Sequence, residues 1–326
     1  MSRTPVTVHS RRDALKWAAL AGAAAFLPGR TAMADEPAPA SAPQGSGFYR
    51  LKVGELACAL VSDGSFAMDP AMLLPKAGPE AIEAAARTAF VSAKQVSVQV
   101  NAFVIDAPGG AVLVDTGCGD AFGPATGKLA ANLARLGIAP EKVRTVVLSH
   151  AHSDHSGGLG AFPAAEIAIS EAEHAFWTGA AEMPRSLLAP DMRKGMTAGI
   201  QAALAAVKSR LRIVKPDAEI APGVSLVPAS GHTPGHVAVR IASGSDTLLY
   251  LSDVLHLPAL QLAHPDWHVS FDVDPTEAAA TRAKILDMAA ADRLRLSGSH
   301  LPFPSNGHLT KAAGGGYGWV PGVWEW

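Results

Sequence analysis

Cysteine is scarce in this sequence: only Cys58 and Cys118 occur in 326 residues. Two cysteines cannot build a disulfide scaffold, and theirs is not the close spacing of a thiolate metal site. They are read either as one bridge formed in an oxidising compartment or as two small buried thiols. Charge is sparse as well, at 17 % of residues, and 29 acidic against 27 basic side chains leave a formal −2. No basic tract or arm is present, so a nucleic-acid partner is not expected. Long apolar runs are missing too. The most suggestive one, "WAALAGAAAFL", has eleven residues, where a membrane-spanning helix needs about twenty.

That short run belongs to a different pattern. Arg11-Arg12 in "SRRDALK" precede it, and the small-residue sequence "AMA" follows, ending at Ala34. This is the layout of a twin-arginine secretory signal, so residues 1–34 are expected to be cleaved and the protein to be periplasmic or secreted. Such export carries folded proteins, often with a cofactor already in place. Losing residues 1–34 removes five basic residues and one aspartate, which moves the formal charge to −6. Residues 35–47, with "EPAPASAPQGSG", read as a flexible leader. The remaining 48–326 read as one domain, with no motif-level repeat and no further linker.

Within it, "YRLKVGELACALVSDG" reads as a hairpin turning at Gly54, its second strand closed by Asp63-Gly64. "GKLAANLARLG" has helical spacing and a glycine stop at Gly137, and "GIQAALAAVKSRL" and "PTEAAATRAKILDMAAA" also read as helices. Strand-like runs in two batches with helices between them predict a layered α/β architecture.

Four of those runs end in the same way. "VVLS" leads to His150, "VSLVPAS" to His232 and His236 in "GHTPGH", "LLYLS" to Asp253, and "LRLSGS" to His300. One histidine at a strand end is commonly a core or loop residue. Four metal-capable groups at four strand ends point to a shared site, because α/β sheets gather ligands beyond the carboxyl ends of their strands. The densest piece is "SHAHSDHSGG", residues 149–158. Side chains two apart on extended backbone point the same way, so His150 and His152 grip one ion. After a turn eased by Gly157-Gly158, Asp154 and His155 face a second. His232 completes the first set, His300 the second, and Asp253 bridges them with its two oxygens. Five imidazoles and two carboxylates suit zinc, with manganese, cobalt or iron as alternatives.

"HAHSDH" followed by "GHTPGH", "SD" and a late "SH" resembles the metallo-β-lactamase superfamily, over about residue 48 to the C-terminus. The resemblance implies an αβ/βα four-layer sandwich, two divalent metal ions per chain and a metal-dependent hydrolase, with Asp154 and Asp253 as the groups that move protons. It also implies that Asp115 of "LVDTG" orients ligand histidines through hydrogen bonds. Ser149 and Ser252 are read as packing or supporting groups rather than nucleophiles.

Aspartate at 253 argues against a true β-lactamase. "LVSDG", "DTGCGDAFGPATGKLAANL" and "SHLPFPSNGHLTKAAGGGYGWVP" resemble the methyl parathion hydrolase family. That likeness implies a homodimer acting on small phosphotriesters with aryl leaving groups, on lactones or on aryl esters, with an N-acyl homoserine lactonase as the alternative main activity. By position it places Phe122 and Trp177 in the substrate pocket, with Met196 where the family has a further aromatic. His256, His264, Asp266, Trp267 and His268 are candidates for the mouth of the site, or incidental surface histidines and their neighbours. Trp319, Trp324 and Trp326 suit either an interface or the core. A non-hydrolytic redox member or a metal-binding protein is the remote alternative, disfavoured by the full set of seven ligands.

Overall fold

The structure, a computed structural model, describes residues 45–324 apart from Pro108. The signal, most of the leader and Trp326 lie outside the described residues. Two seven-stranded sheets organise the described residues. The first runs in sequence order through β1 (Phe48–Val53), β2 (Leu56–Met68), β3 (Val96–Asp106), β4 (Ala111–Val114), β5 (Val143–Leu148), β6 (Glu166–Ser170) and β7 (Leu211–Val214). It is antiparallel up to β4 and parallel from there on. The second holds β8 (Glu219–Ala221), β9 (Val224–Pro228), β10 (Val237–Ser243), β11 (Asp246–Tyr250), β12 (Arg295–Ser297), β13 (Gly307–Lys311) and β14 (Tyr317–Pro321). Only β11 and β12 are parallel there.

The helices are α1 (Pro70–Leu73), α2 (Pro79–Thr88), α3 (Leu129–Leu136), α4 (Ser153–Ser156), α5 (Glu171–Thr178), α6 (Pro190–Ala206), α7 (Pro258–Gln261) and α8 (Pro275–Ala291). None of the described helices is long and apolar enough to cross a membrane.

Strand alternation sorts the core into layers. On β3, Phe103 and Ile105 join β9, β10 and β11 side chains between the sheets, while Ala102 and Val104 face α3, α5 and α6. Val147 on β5 points inward in the same way, and Val146 and Leu148 point to the helices. Strands buried on both faces read as unbroken apolar runs, which is why "VRTVVL" shows no alternation. The outer face of the second sheet packs on Ile285, Leu286 and Ala289 of α8. The order is helices, sheet, sheet, helices, the αβ/βα sandwich expected from the motifs.

Two local expectations need correction. Asp63-Gly64 does not end β2. The strand bulges there and continues to Met68, while the buried Asp63 carboxylate accepts from the backbone N–H groups of Cys118, Gly127 and Leu129. Gly157 and Gly158 do not act through unusual turning. A Cβ there would lie 2.2 Å from the Cys118 carbonyl oxygen and 2.0 Å from that of Thr116, so glycine is required by close approach. The cysteines are both free and buried, and burial pushes the Cys58 thiol up to about 12. Trp319 packs into the outer core of the second sheet, whereas Trp324 is largely exposed beside the Tyr49 ring.

Candidate metal centre

The carboxyl ends of β5, β9, β11 and β12 converge, and each expected ligand arrives there. His150 and His152 follow β5 on extended backbone, and the single turn of α4 then swings Asp154 and His155 to another direction. Seven side chains fall into two groups whose donor atoms lie within 4.8 Å of one another: His150, His152 and His232, and Asp154, His155, Asp253 and His300. A third group overlaps both and was not foreseen: His232, Asp253 and His256. His236 stays out of these groups. Its Nε2 accepts from the Asp253 N–H, its Nδ1 donates to the Ala229 carbonyl, and burial lowers it to about 4.

Hydrogen bonding fixes which nitrogens face inward. His155 Nδ1 donates to Asp115 Oδ2 at 2.9 Å, His232 Nδ1 to Asp272 Oδ1 at 2.8 Å, and His300 Nδ1 to the Gln99 carbonyl at 2.6 Å. Each Nε2 is therefore the nitrogen that faces the other site groups. His232 Nε2 lies 2.9 Å from His152 Nδ1, which is 3.1 Å from His150 Nε2. His155 Nε2 lies 3.0 Å from Asp253 Oδ1, and neither atom has a hydrogen-bond partner. His152 Nε2, His155 Nε2 and Asp253 Oδ1 are buried without a hydrogen-bond partner, and cation coordination would satisfy all three, so the residues fit a pair of divalent ions.

The electrostatics of the two groups differ. Burial drives His150, His152 and His232 well below the ordinary imidazole range, and their mutual proximity adds to it. Burial also opposes the charging of His155 and His300, but the carboxylates of Asp253 and Asp154 outweigh it and hold both above that range. Burial alone would raise Asp253; His155, His300 and His256 overcome it and keep the carboxylate well below its usual range.

Supporting residues lock the ligands. Asp115 accepts from both the N–H and Oγ–H of Ser149 besides His155, and Ser252 Oγ donates to Ser149 Oγ. Asp115 and Ser252 hold positive φ of 63° and 49°, so both carry backbone strain at the site. Two further carboxylates escaped the sequence reading. Asp272, fully buried, orients His232. Glu173, also fully buried, accepts from Ala151 N–H, Trp177 Nε1–H, Thr233 Oγ–H and Gly235 N–H, tying "HAH" to "GHTPGH". No spacing rule marks either residue; their only signal is an acid inside otherwise apolar or turn sequence.

A cavity of about 280 Å³ opens onto the ligands. Its wall is largely apolar, with Phe66, Met68, Leu73, Phe122, Met196 and Phe271 above Asp154, Asp253 and His256. Phe122, Met196 and His256 line this cavity, with Phe122 stacked on Phe66 at 4.5 Å. Trp177 does not. It is fully buried in the core behind the site, edge-on to the His152 ring at 5.7 Å, because its indole N–H is taken by Glu173. His264, Asp266, Trp267 and His268 are not among the wall residues.

A profile of the metallo-beta-lactamase superfamily matches residues 97–300, which contain all seven expected ligands. The chain belongs to this superfamily. Within the family, it is 30 % identical over 120 residues, 37 % of its own length, to an N-acyl homoserine lactonase of Bacillus cereus. That match spans 41 % of the lactonase, so the chain covers about two fifths of the length of that relative. Among solved structures, it superposes on AidC, a dizinc quorum-quenching lactonase, with a TM-score of 0.81 and 29 % identity over 86 % of this chain and 98 % of that one. It also superposes on the hydrolase AbOPH of the beta lactamase superfamily, with a TM-score of 0.78 and 28 % identity over 87 % of this chain and all of the other.

Proposed function

We propose that the protein is a dinuclear metal hydrolase whose main substrates are lactones with an apolar acyl substituent, such as N-acyl homoserine lactones. The observation that carries this reading is the convergence of two ligand groups at the floor of an apolar cavity. The likeness to AidC and to the Bacillus lactonase supports the lactone class. His150, His152 and His232 would hold one ion, Asp154, His155 and His300 the other, with Asp253 between them. Zinc fits this donor set and is the expected metal. When bound, two such ions supply a water that ionises near neutral pH and Lewis acidity toward the ester oxygen.

The side chains divide the remaining work. Asp154 is the more exposed of the two site carboxylates, with 14 % of its side chain accessible against 2 % for Asp253, and it lines the cavity. It is the group placed to take up a proton and return it to the departing oxygen. Asp253, held ionised by its imidazole neighbours, serves as a fixed negative charge. The methionine, leucine and phenylalanine wall seats the acyl chain and excludes water.

Aryl phosphotriesters form the second reading, favoured by the aromatic side chains Phe66, Phe122 and Phe271 in the wall. The test is kcat/KM of the zinc-loaded enzyme on an N-acyl homoserine lactone and on methyl parathion, side by side. A preference for the lactone is expected. A preference for the phosphotriester reverses the assignment, and hydrolysis of neither overturns it. The reading includes twin-arginine export and assembly as a homodimer, both supported by the sequence and its resemblance. Exported protein should begin at Asp35; N-terminal sequencing that starts at Met1 would remove the cleavage claim.

A further inference from the structure

We infer that His256 is an eighth metal ligand, shared with His232 and Asp253. The inference rests on the dinuclear reading above and extends it to a residue outside the seven-ligand pattern. His256 is 6 % exposed and lines the cavity, yet neither of its ring nitrogens has a hydrogen-bond partner. Leaving two polar atoms of one buried ring unsatisfied is costly. The ring is not idle in its placement. Its Nε2 lies 3.1 Å from Asp253 Oδ2, the oxygen that also faces His232 Nε2 at 3.4 Å and His150 Nε2 at 3.7 Å. Its ring centroid is 4.6 Å from that of His232 and 5.5 Å from that of His300.

The surrounding loop holds His256 in this position. Gln261 Oε1 accepts from the N–H groups of both His256 and Leu257, and its amide donates to the Trp267 carbonyl. Arg282, 1 % exposed on α8, donates to the carbonyls of Val254, Pro265 and Trp267, and its guanidinium approaches the Asp272 carboxylate that orients His232. One buried arginine therefore fixes both ends of the loop carrying His256 and adjoins the carboxylate behind a partner ligand. Supporting shells of this kind accompany groups that must be held in place at a metal. An incidental histidine needs none of them.

The consequence is an unequal centre. The ion that His150, His152 and His232 would hold would gain a further donor from a side chain that lines the cavity. The test is stepwise titration of cobalt(II) into the metal-free wild type and His256→Leu, following binding constants and the visible d–d spectrum. His256→Gln, which keeps a polar group of similar reach, gives a second readout if the leucine variant folds poorly. In His256→Leu, one of the two constants should weaken about tenfold or more, the other should hold within about twofold, and the spectrum should change as a nitrogen donor is lost. The glutamine variant should fall between. Unchanged or tighter constants with superimposable spectra overturn the assignment and leave the dinuclear reading standing. A wild type that binds fewer than two ions overturns both.

Discussion

The two ligand groups lie side by side but are built on opposite electrostatic plans. His150, His152 and His232 form a dry cluster of neutral imidazoles, kept from protonation by burial. Asp154, His155, Asp253 and His300 mix carboxylates with imidazoles that those carboxylates make more basic. Each plan has its own anchor. Asp272 orients the first group through His232, and Asp115 the second through His155. The difference shows that one motif, "HAHSDH", feeds two environments: extended backbone delivers its first half and a turn of helix its second.

Removing what joins the two environments should have the largest effect. Asp253 faces His155 and His300 with Oδ1 and His150, His232, His256 and His300 with Oδ2. Asp253→Ala should lower kcat/KM by more than about 100-fold and leave at least one metal poorly retained, since even outer-shell losses cost 10–100-fold. Metal analysis and kinetics together check this. Two tightly bound ions at full rate would mean that the groups are independent.

The anchors allow the comparison to be sharpened. Asp272→Asn should weaken the first group's ion by roughly 10–100-fold and spare the second, and Asp115→Asn should do the reverse. Stepwise metal-binding constants for the two variants decide it. If both variants weaken the same ion, the division into two groups is wrong.

Acid should separate the groups as well. Protons compete with metal for each ligand nitrogen. The raised pKa values of His155 and His300 mean that these rings take up protons first as pH falls. The lowered values of His150, His152 and His232 mean that those rings resist protonation until well below the ordinary value of about 6.5. Acidification from neutral pH should therefore release the second group's ion before the first. Metal content measured after dialysis across pH 7 to 5 tests the order; simultaneous release would show that the two groups behave as one.

How much of this was legible from sequence follows from what each residue does. The seven candidate ligands were readable as one cluster because chemistry restricts their type and strand ends restrict their spacing. The four-layer sandwich came with the family resemblance, and apolar strand runs agree with it. Asp115 was readable only by that resemblance. Asp272 and Glu173 were not, because a buried carboxylate that hydrogen-bonds a ring or a backbone N–H has no fixed distance in sequence from what it holds. Trp177 was misplaced for the same reason: only the folded structure shows Glu173 drawing its indole N–H into the core. Asp63 looked like a turn residue and instead secures the loop that carries Phe122.

That contrast between Trp177 and Phe122 gives the smallest predicted effect. Phe122 is 40 % exposed, stacked on Phe66 at the cavity wall, and touches no ligand histidine by ring contact. Phe122→Ala removes an aromatic pair worth about 0.5–1.5 kcal/mol beyond its area. KM for a long-chain lactone should rise roughly three- to tenfold through lost apolar contact with the acyl chain, while kcat and metal content stay near wild type. Trp177 borders His152 and bonds Glu173, so Trp177→Phe should instead disturb metal retention with little change in chain-length preference. Chain-length series of KM for the two variants separate wall from support. A Trp177 variant that shifts chain preference while keeping its metals would return that residue to the pocket, and the wall would have to be redrawn around it.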